Sequence, residues 1–418
     1  MVIPRNKSII SFCFLLVIFS SKAQKITEIP PPEHIKTIEF WDNQSRNFPI
    51  IFPQERAVLE FDDLSAVEKD YYYEINHCNA DWETSRLLKT EYLQGNDRLR
   101  ITQYTNSSGT YTPYNHFRLS LPNEQTQFKH SGNYLITVFE GSGKAVFSRR
   151  FAVIDPQTTA QISIKRSRDM SQINTHQWVQ FTIASGGISV QNPNSQIKPV
   201  LLQNDRWDRS IQGLKPQYNN GKQWIYRYGS ASGFPAGNEF RYFDTAQLRA
   251  SNSAVQRIEL TDLYHHYLFA DIPRNNKPYT LFPDLNGRFA VRSQGTEKPD
   301  READYTWVHF AIEAPESQSG DKIYLIGGFN QFQTRPEYEL SFNPGSQRYE
   351  GAFLFKQGFY NYGYALVDAL GKKSEEAVDG SFHLTENQYT LLVYFRPLGA
   401  VADQLIGISS VQGTAIDP

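Results

Sequence analysis

Residues 131–151 read SGNYLITVFEGSGKAVFSRRF, and this stretch decides the fold. Tyr134, Ile136 and Val138 alternate with Leu135, Thr137 and Phe139, a β-branched and aromatic run that belongs on a pleated surface. Gly141, Ser142 and Gly143 then supply a short turn that can take positive φ at little cost. Residues 145–153 return as a second strand and stop at Asp155-Pro156, as expected for the last hairpin of a β-sandwich before a domain boundary. The strand, Gly-rich turn, strand pattern recurs over residues 349–367. An all-β chain of tandem sandwiches follows.

Working outward, residues 36–40, 48–51, 57–61, 70–78, 87–93 and 110–121 read as further strands of the same unit. In DYYYEINHC (70–78), Tyr71, Tyr73 and Ile75 face one way and Tyr72, Glu74 and Asn76 the other. Seven or eight short strands over 30–154 fit an immunoglobulin- or fibronectin-like sandwich. A second, less regular block takes strands at 159–166, 178–184, 201–203, 224–228, 234–243, 255–260, 266–270 and 279–291. GTEKPDREAD (295–304), charged and almost without apolar residues, reads as a linker. Strands at 305–312, 323–332, 349–355, 358–367 and 388–396 form a third block. The expected organisation is a signal peptide (1–23), sandwiches at 24–155 and 156–294, a linker (295–304) and a C-terminal sandwich (305–412).

A chain of 418 residues is too long for one ordinary core. Aromatic residues at 14% are too many for disorder and suit strands. At the N-terminus, Arg5 and Lys7 precede the apolar run IISFCFLLVIF (9–19), and Ser21-Lys22-Ala23 fits a cleavage site for export. The run is shorter than the ~20 residues a membrane span needs. Cys13 lies inside it, with no cysteine placed for lipoprotein processing. Cleavage removes three cations and no acids from a chain of net charge −2, leaving −5. That balance argues against nucleic acid as a partner, because phosphate neutralisation needs a basic surface. Cys78 then stands alone, so no internal disulfide forms, and its neighbours Ile75 and Trp82 make it a small buried hydrophobe.

The chain is poor in catalytic signatures. It has no G-x-S-x-G elbow, H-E-x-x-H pair, phosphate loop or dinucleotide fingerprint. His265 and His266 are adjacent on a strand and point to opposite faces, which does not suit one metal. Asp284, Asn286 and Gly287 place oxygen donors before a glycine, but the remaining acids of a calcium loop are missing; an Asx turn is the expectation. Glu239, Asp244 and Asp262 have no context resembling a glycosidase carboxylate pair. Glu239 is expected to pair with Arg241 or another basic group. No catalytic, cofactor or metal site is therefore expected, and no partner-contacting residue is assignable.

IYLIGGFNQF (323–332) followed by KQGFYNYGYALVD (356–368) resembles the early-Set and glycogen-binding modules of carbohydrate enzymes. The Gly328-Phe329-Asn330 turn motivates the rival reading, a carbohydrate-binding protein of the cell envelope, although Phe332 stands where those modules carry a sugar-stacking Trp. A larger resemblance rests on an ordered set: INHCNADW (75–82), YLQG (92–95), SGNY (131–134), RRF (149–151), QN (203–204) with RW (206–207), GNEFR (237–241), Asp284 with NG (286–287), KQG (356–358) and TEN (385–387). Over residues 30–410 the chain resembles the type IX secretion system plug protein family. That resemblance implies a non-enzymatic periplasmic accessory that closes the mouth of a large outer-membrane translocon barrel, without cofactors. It also implies that the motif residues build the fold: Gly95 and Gly132 at turns, Trp82 and Phe151 in the core, Arg241 in a buried pair. The small, polar residues 407–418 do not resemble a cargo secretion signal, which implies a part of the machine and not a passenger.

Overall fold

The computed structural model describes residues 26–44, 48–65, 67–96, 98–317, 319–413 and 416–417. The expected signal peptide lies outside the described residues. Strands make up 47% of the chain and helices 7%, which fixes the all-β class. No described helix is long and apolar enough to cross a membrane.

The opening hairpin forms as read. Gly132–Glu140 pairs antiparallel with Ala145–Val153 from Gly132↔Val153 to Val138↔Phe147, and a bulge shifts the register to Phe139↔Ala145. On its other side it pairs with Tyr71–Cys78, whose Tyr71, Tyr73 and Ile75 are buried as the alternation requires. Ile50–Ile51 and Leu99–Arg100 complete this sheet. The facing sheet runs Ile35–Trp41, Ala57–Asp63, Asn115–Leu121, Gln103–Asn106. Aromatic rings fill the space between. Phe61 stacks on Phe117 at 5.1 Å and meets Phe147 edge-on at 5.2 Å. Residues 87–93 depart from the strand expected there: Lys89–Tyr92 is a helical turn.

Beyond residue 155 the strand pairing corrects the expected boundaries. One sheet of the middle sandwich contains Thr159–Arg166, His176–Ala184 and Gln223–Tyr226. Its partner sheet runs Arg206–Gln212, Ile197–Gln203, Asn387–Phe395, Gln404–Gly413. Of these, 388–396 was expected as a strand of the C-terminal block, and 404–413 was not read as a strand. They belong here because Ile197–Gln203 is buried on both faces and needs a neighbour at each edge, one of them 198 residues away in sequence at Ile197↔Phe395. Residues 234–243 likewise divide. Gly233–Pro235 joins the middle sandwich and Arg241–Asp244 the next one.

The third sandwich is therefore an insertion. A sheet path from Arg241–Asp244 to Val255–Leu260 takes in Gly358–Val367, Lys322–Ile326, Arg348–Lys356 and Tyr305–Ile312, and folds around Phe243, Phe310, Phe355, Tyr360 and Tyr362. Strands read as the end of the middle block, 255–260 and 266–270, lie in this unit. The expected linker is not free either. Pro299–Glu302 is a helical turn, Ala303 is fully buried, and the Asp304 carboxylate accepts the backbone N–H of Tyr111 at 2.5 Å. Its charged composition reads as solvated, yet its carbonyls and Asp304 serve as acceptors for a loop of the first sandwich. Ser108 N–H reaches Arg301 O and the Tyr114 hydroxyl donates to Ala303 O.

Candidate functional site: the seams and the cavity between three sandwiches

Strand alternation builds the first seam. Along Asn387–Phe395, Tyr389, Leu391, Val393 and Phe395 fill the middle sandwich, while Leu392 and Tyr394 point the other way. These two meet Val200, Leu202 and Leu405 and, from the first sandwich, Phe48, Ile50, Cys78, Trp82 and Leu135. Trp82 stands edge-on to Trp207 at 4.9 Å. Beside this apolar patch Asp403, fully buried, accepts Ala80 N–H, Lys198 Nζ and Arg396 Nε at 2.8–3.0 Å. Cys78 is fully buried here, and burial pushes its thiol up to about 12, which leaves it a hydrophobe and not a nucleophile.

The seam between the first and third sandwiches is polar. Asp62, fully buried, accepts the Tyr305 hydroxyl at 2.6 Å, Lys356 Nζ at 2.7 Å and His116 Nδ1 at 2.7 Å. Lys356 also sits 4.2 Å from the centre of the Tyr114 ring and donates to Asp300 O. The hydrogen bond to Asp62 and the Glu60 carboxylate 3.7 Å away outweigh burial and raise the His116 imidazole to about 9. Between the middle and third sandwiches, Arg206 pairs with Glu375 and Asp208, and Arg209 with Glu375 and Glu376. Arg241 pairs with Asp271 and Asp379 where the chain enters the insertion.

At the meeting of the three units lies a cavity of about 1190 Å³. Phe40, Trp41, Trp207 and Phe289 line it, with Arg149, Arg150, Arg206 and Arg335 among the charged groups. Glu39, on the same wall, is pushed up to about 8 by burial and the nearby Glu60.

Of the residues singled out by sequence, most now have an address. Trp82 is a seam residue and Phe151 a core residue; Gly132, at φ +143°, passes so close to His77 Nε2 that a Cβ would lie 2.4 Å from it. Arg241 forms the buried pair expected of it. Glu239 does not pair with a cation: its carboxylate accepts the Tyr279 hydroxyl and Glu386 N–H, and burial raises it above the usual range. Asp284 forms the Asx turn, accepting Asn286 N–H and Phe240 N–H. Asp262 sits exposed at the far end of Val255–Leu260 from the contact of Asn252 with Asp244 O, so the three candidate carboxylates do not converge. His265 and His266 point apart, one to His309 Nε2 and the other, buried, to Thr306 Oγ1. Phe332 is 4% exposed, with the Arg206 guanidinium 3.9 Å above its ring.

Sequence reasoning missed Asp62 and the cavity, and saw Lys356 only as part of the KQG motif, without its role. The signal present was Asp62-Asp63 inside an otherwise buried strand. The quoted motifs fall largely on the seams: 75–82 and 203–207 on the first, 356–358 on the second, 237–241 and 385–387 where the chain enters and leaves the insertion.

Fold and site together define a multi-sandwich β protein whose distinctive side chains serve the joints between modules. Residues 35–155 match the family model described as type 9 secretion system plug protein 1st domain. The chain is also similar to a hypothetical protein from Parabacteroides merdae ATCC 43184, known from a 2.30 Å crystal structure, at 31% identity and a TM-score of 0.88, over 93% of this chain and 100% of that one. No curated protein matches the chain. Residues 35–155 thus form a first domain of the type IX secretion system plug protein family. Membership suggests a structural, non-enzymatic role in type IX secretion and a location in the cell envelope.

Proposed function

We propose that the protein is an exported, non-enzymatic plug that binds and occludes the periplasmic mouth of the outer-membrane translocon barrel of the type IX system. The match of residues 35–155 to the plug first domain carries this reading. The seams support it: three sandwiches locked by an apolar patch and buried ion pairs form a body that can block a wide pore by shape. Its mildly acidic charge and wealth of tyrosine suit a contact surface that must release, since such interfaces are no more apolar than ordinary surface. Export rests on the leader at 1–23. The rival carbohydrate reading is weakened, because Phe332, at the position of the sugar-stacking ring, is covered by Arg206 and offers no free face to a sugar.

A pull-down of the tagged protein from gently solubilised envelopes of its native host tests the proposal. Recovery of one very large outer-membrane barrel without bound cargo is the expected result. Recovery of no membrane protein, or only of polysaccharide-handling enzymes, would overturn it.

A further inference from the structure

Arg149 breaks the pattern of its strand. In Ala145–Val153 it shares a face with Phe147 and Phe151, both fully buried in the core of the first sandwich. An apolar residue is called for there. Arg149 is instead 6% exposed, and its recorded hydrogen bond goes to the carbonyl of its own neighbour, Ser148. No carboxylate among the described residues forms an ion pair with it. Nearest in kind is Arg335 from the third sandwich. Its Nε donates to Gln333, its Nη1 lies 3.9 Å from a half-exposed Glu337, and its buried Nη2 has no protein partner. Both line the same cavity.

A buried guanidinium without a counter-charge costs several kcal/mol and is ordinarily paired. The acids that line the cavity are engaged elsewhere: Glu60 with Arg118, Asp208 and Glu375 with Arg206, Glu376 with Arg209 and Asp205 with Thr390. Glu28 spends its two oxygens on Arg150 N–H and Gln331 Nε2, and Glu39 is largely protonated at neutral pH. Two forks facing one space beside the rings of Phe40, Trp41 and Phe289 match a planar carboxylate carried on an apolar body. The volume exceeds what a typical small ligand fills.

We propose that the cavity between the three sandwiches binds an organic carboxylate, gripped by Arg149 and Arg335, with its apolar body against Phe40, Trp41 and Phe289. The carboxylate can come from a free organic acid or from the C-terminus of a peptide. The proposal goes beyond plugging and stands without the barrel.

Isothermal titration of the purified mature chain tests it with four probes: phenylbutyrate, an acetylated tripeptide ending in phenylalanine as free acid, the same peptide as amide, and inorganic phosphate. Saturable binding of either acid near or below about 1 mM, weakened at least tenfold in Arg149→Gln and in Arg335→Gln, is the expected result. Binding of phenylbutyrate alone assigns a free acid, and of the peptide acid alone a chain terminus. Binding of neither acid, equal binding of the amide, phosphate as the sole ligand, or indifference to both substitutions overturns the proposal. Arg149→Met adds a readout that a structural arginine would fail: without ligand its melting temperature is unchanged or raised. Should the Arg149 variants not fold, Arg335→Gln decides alone. Failure here leaves barrel recovery in the pull-down untouched, so the two readings fall separately.

Discussion

The first sandwich is held by two seams of opposite chemistry. Against the middle sandwich it presents Phe48, Ile50, Cys78, Trp82 and Leu135, and the contact is apolar with one carboxylate, Asp403, at its side. Against the third sandwich it presents Asp62, also bonded by its own His116, to Lys356 and Tyr305. An apolar patch is strong but tolerates sliding, because burial has no direction. A buried carboxylate with three donors permits one arrangement, since any displacement strands charge in a dry site. We read the first seam as the source of cohesion and the second as the source of orientation.

The largest effect is expected where one charge of the polar seam is removed. Asp62→Asn leaves Lys356 without its buried anion and His116 with only the more distant Glu60, and should cost about 3–5 kcal/mol in denaturant unfolding. A loss below about 1 kcal/mol would mean that the network contributes little and that the comparison is false. In the apolar seam, Leu202→Ala should cost about 2–4 kcal/mol through lost burial and a residual cavity. It should leave the first and third sandwiches correctly docked, which small-angle scattering of the folded variant would check.

A smaller, pH-dependent term distinguishes the seams further. His116 keeps its proton in the folded state up to about pH 9 against an ordinary value of 6.5, so its contribution is complete below 6.5 and fades as pH rises through 9. Glu39 acts earlier. Held neutral up to about 8 against an ordinary 4.5, it makes the folded state progressively less favourable between those values, because only the unfolded chain ionises freely. Above pH 6.5, where the buried His77 and His266 are neutral in both states, the two terms act together and stability should decline toward alkaline pH, by about 1–3 kcal/mol over the His116 range. Glu39→Gln should flatten the lower part of that curve and His116→Gln the upper part; an unchanged slope in both variants would refute the assignment. The smallest expected effect is none at all. Cys78, sealed in the apolar seam, should not react with N-ethylmaleimide at pH 7.5 until denaturant opens the protein, and ready alkylation of the native chain would show that this seam breathes.

Local pattern carried much of this fold and little of its assembly. The hairpin at 131–151 and the strands at 159–166, 305–312 and 358–367 were legible because alternation and turn residues act within a few positions. The pairing of Ile197–Gln203 with Asn387–Phe395 was not, since nothing in either strand names its neighbour. The run 234–243 reads as one strand but serves two sandwiches. GNEFR and RRF were visible as motifs, but their roles at an entry point and in a cavity arise only when distant elements converge. Composition likewise made 295–304 a linker, although Asp304 and Ala303 are buried by a loop almost 200 residues earlier.

The insertion imposes a calendar on the chain as it emerges from its N-terminus. The first sandwich is complete once residue 153 is available and the third by residue 379, yet the middle one still lacks two strands of one sheet. Residues 387–413 arrive last and close it, supplying at the same stroke Leu392, Tyr394 and Leu405 to the contact with the first sandwich. The middle unit is the keystone. Truncation before residue 387 therefore removes no module, but leaves two finished ones without the piece that wedges them together.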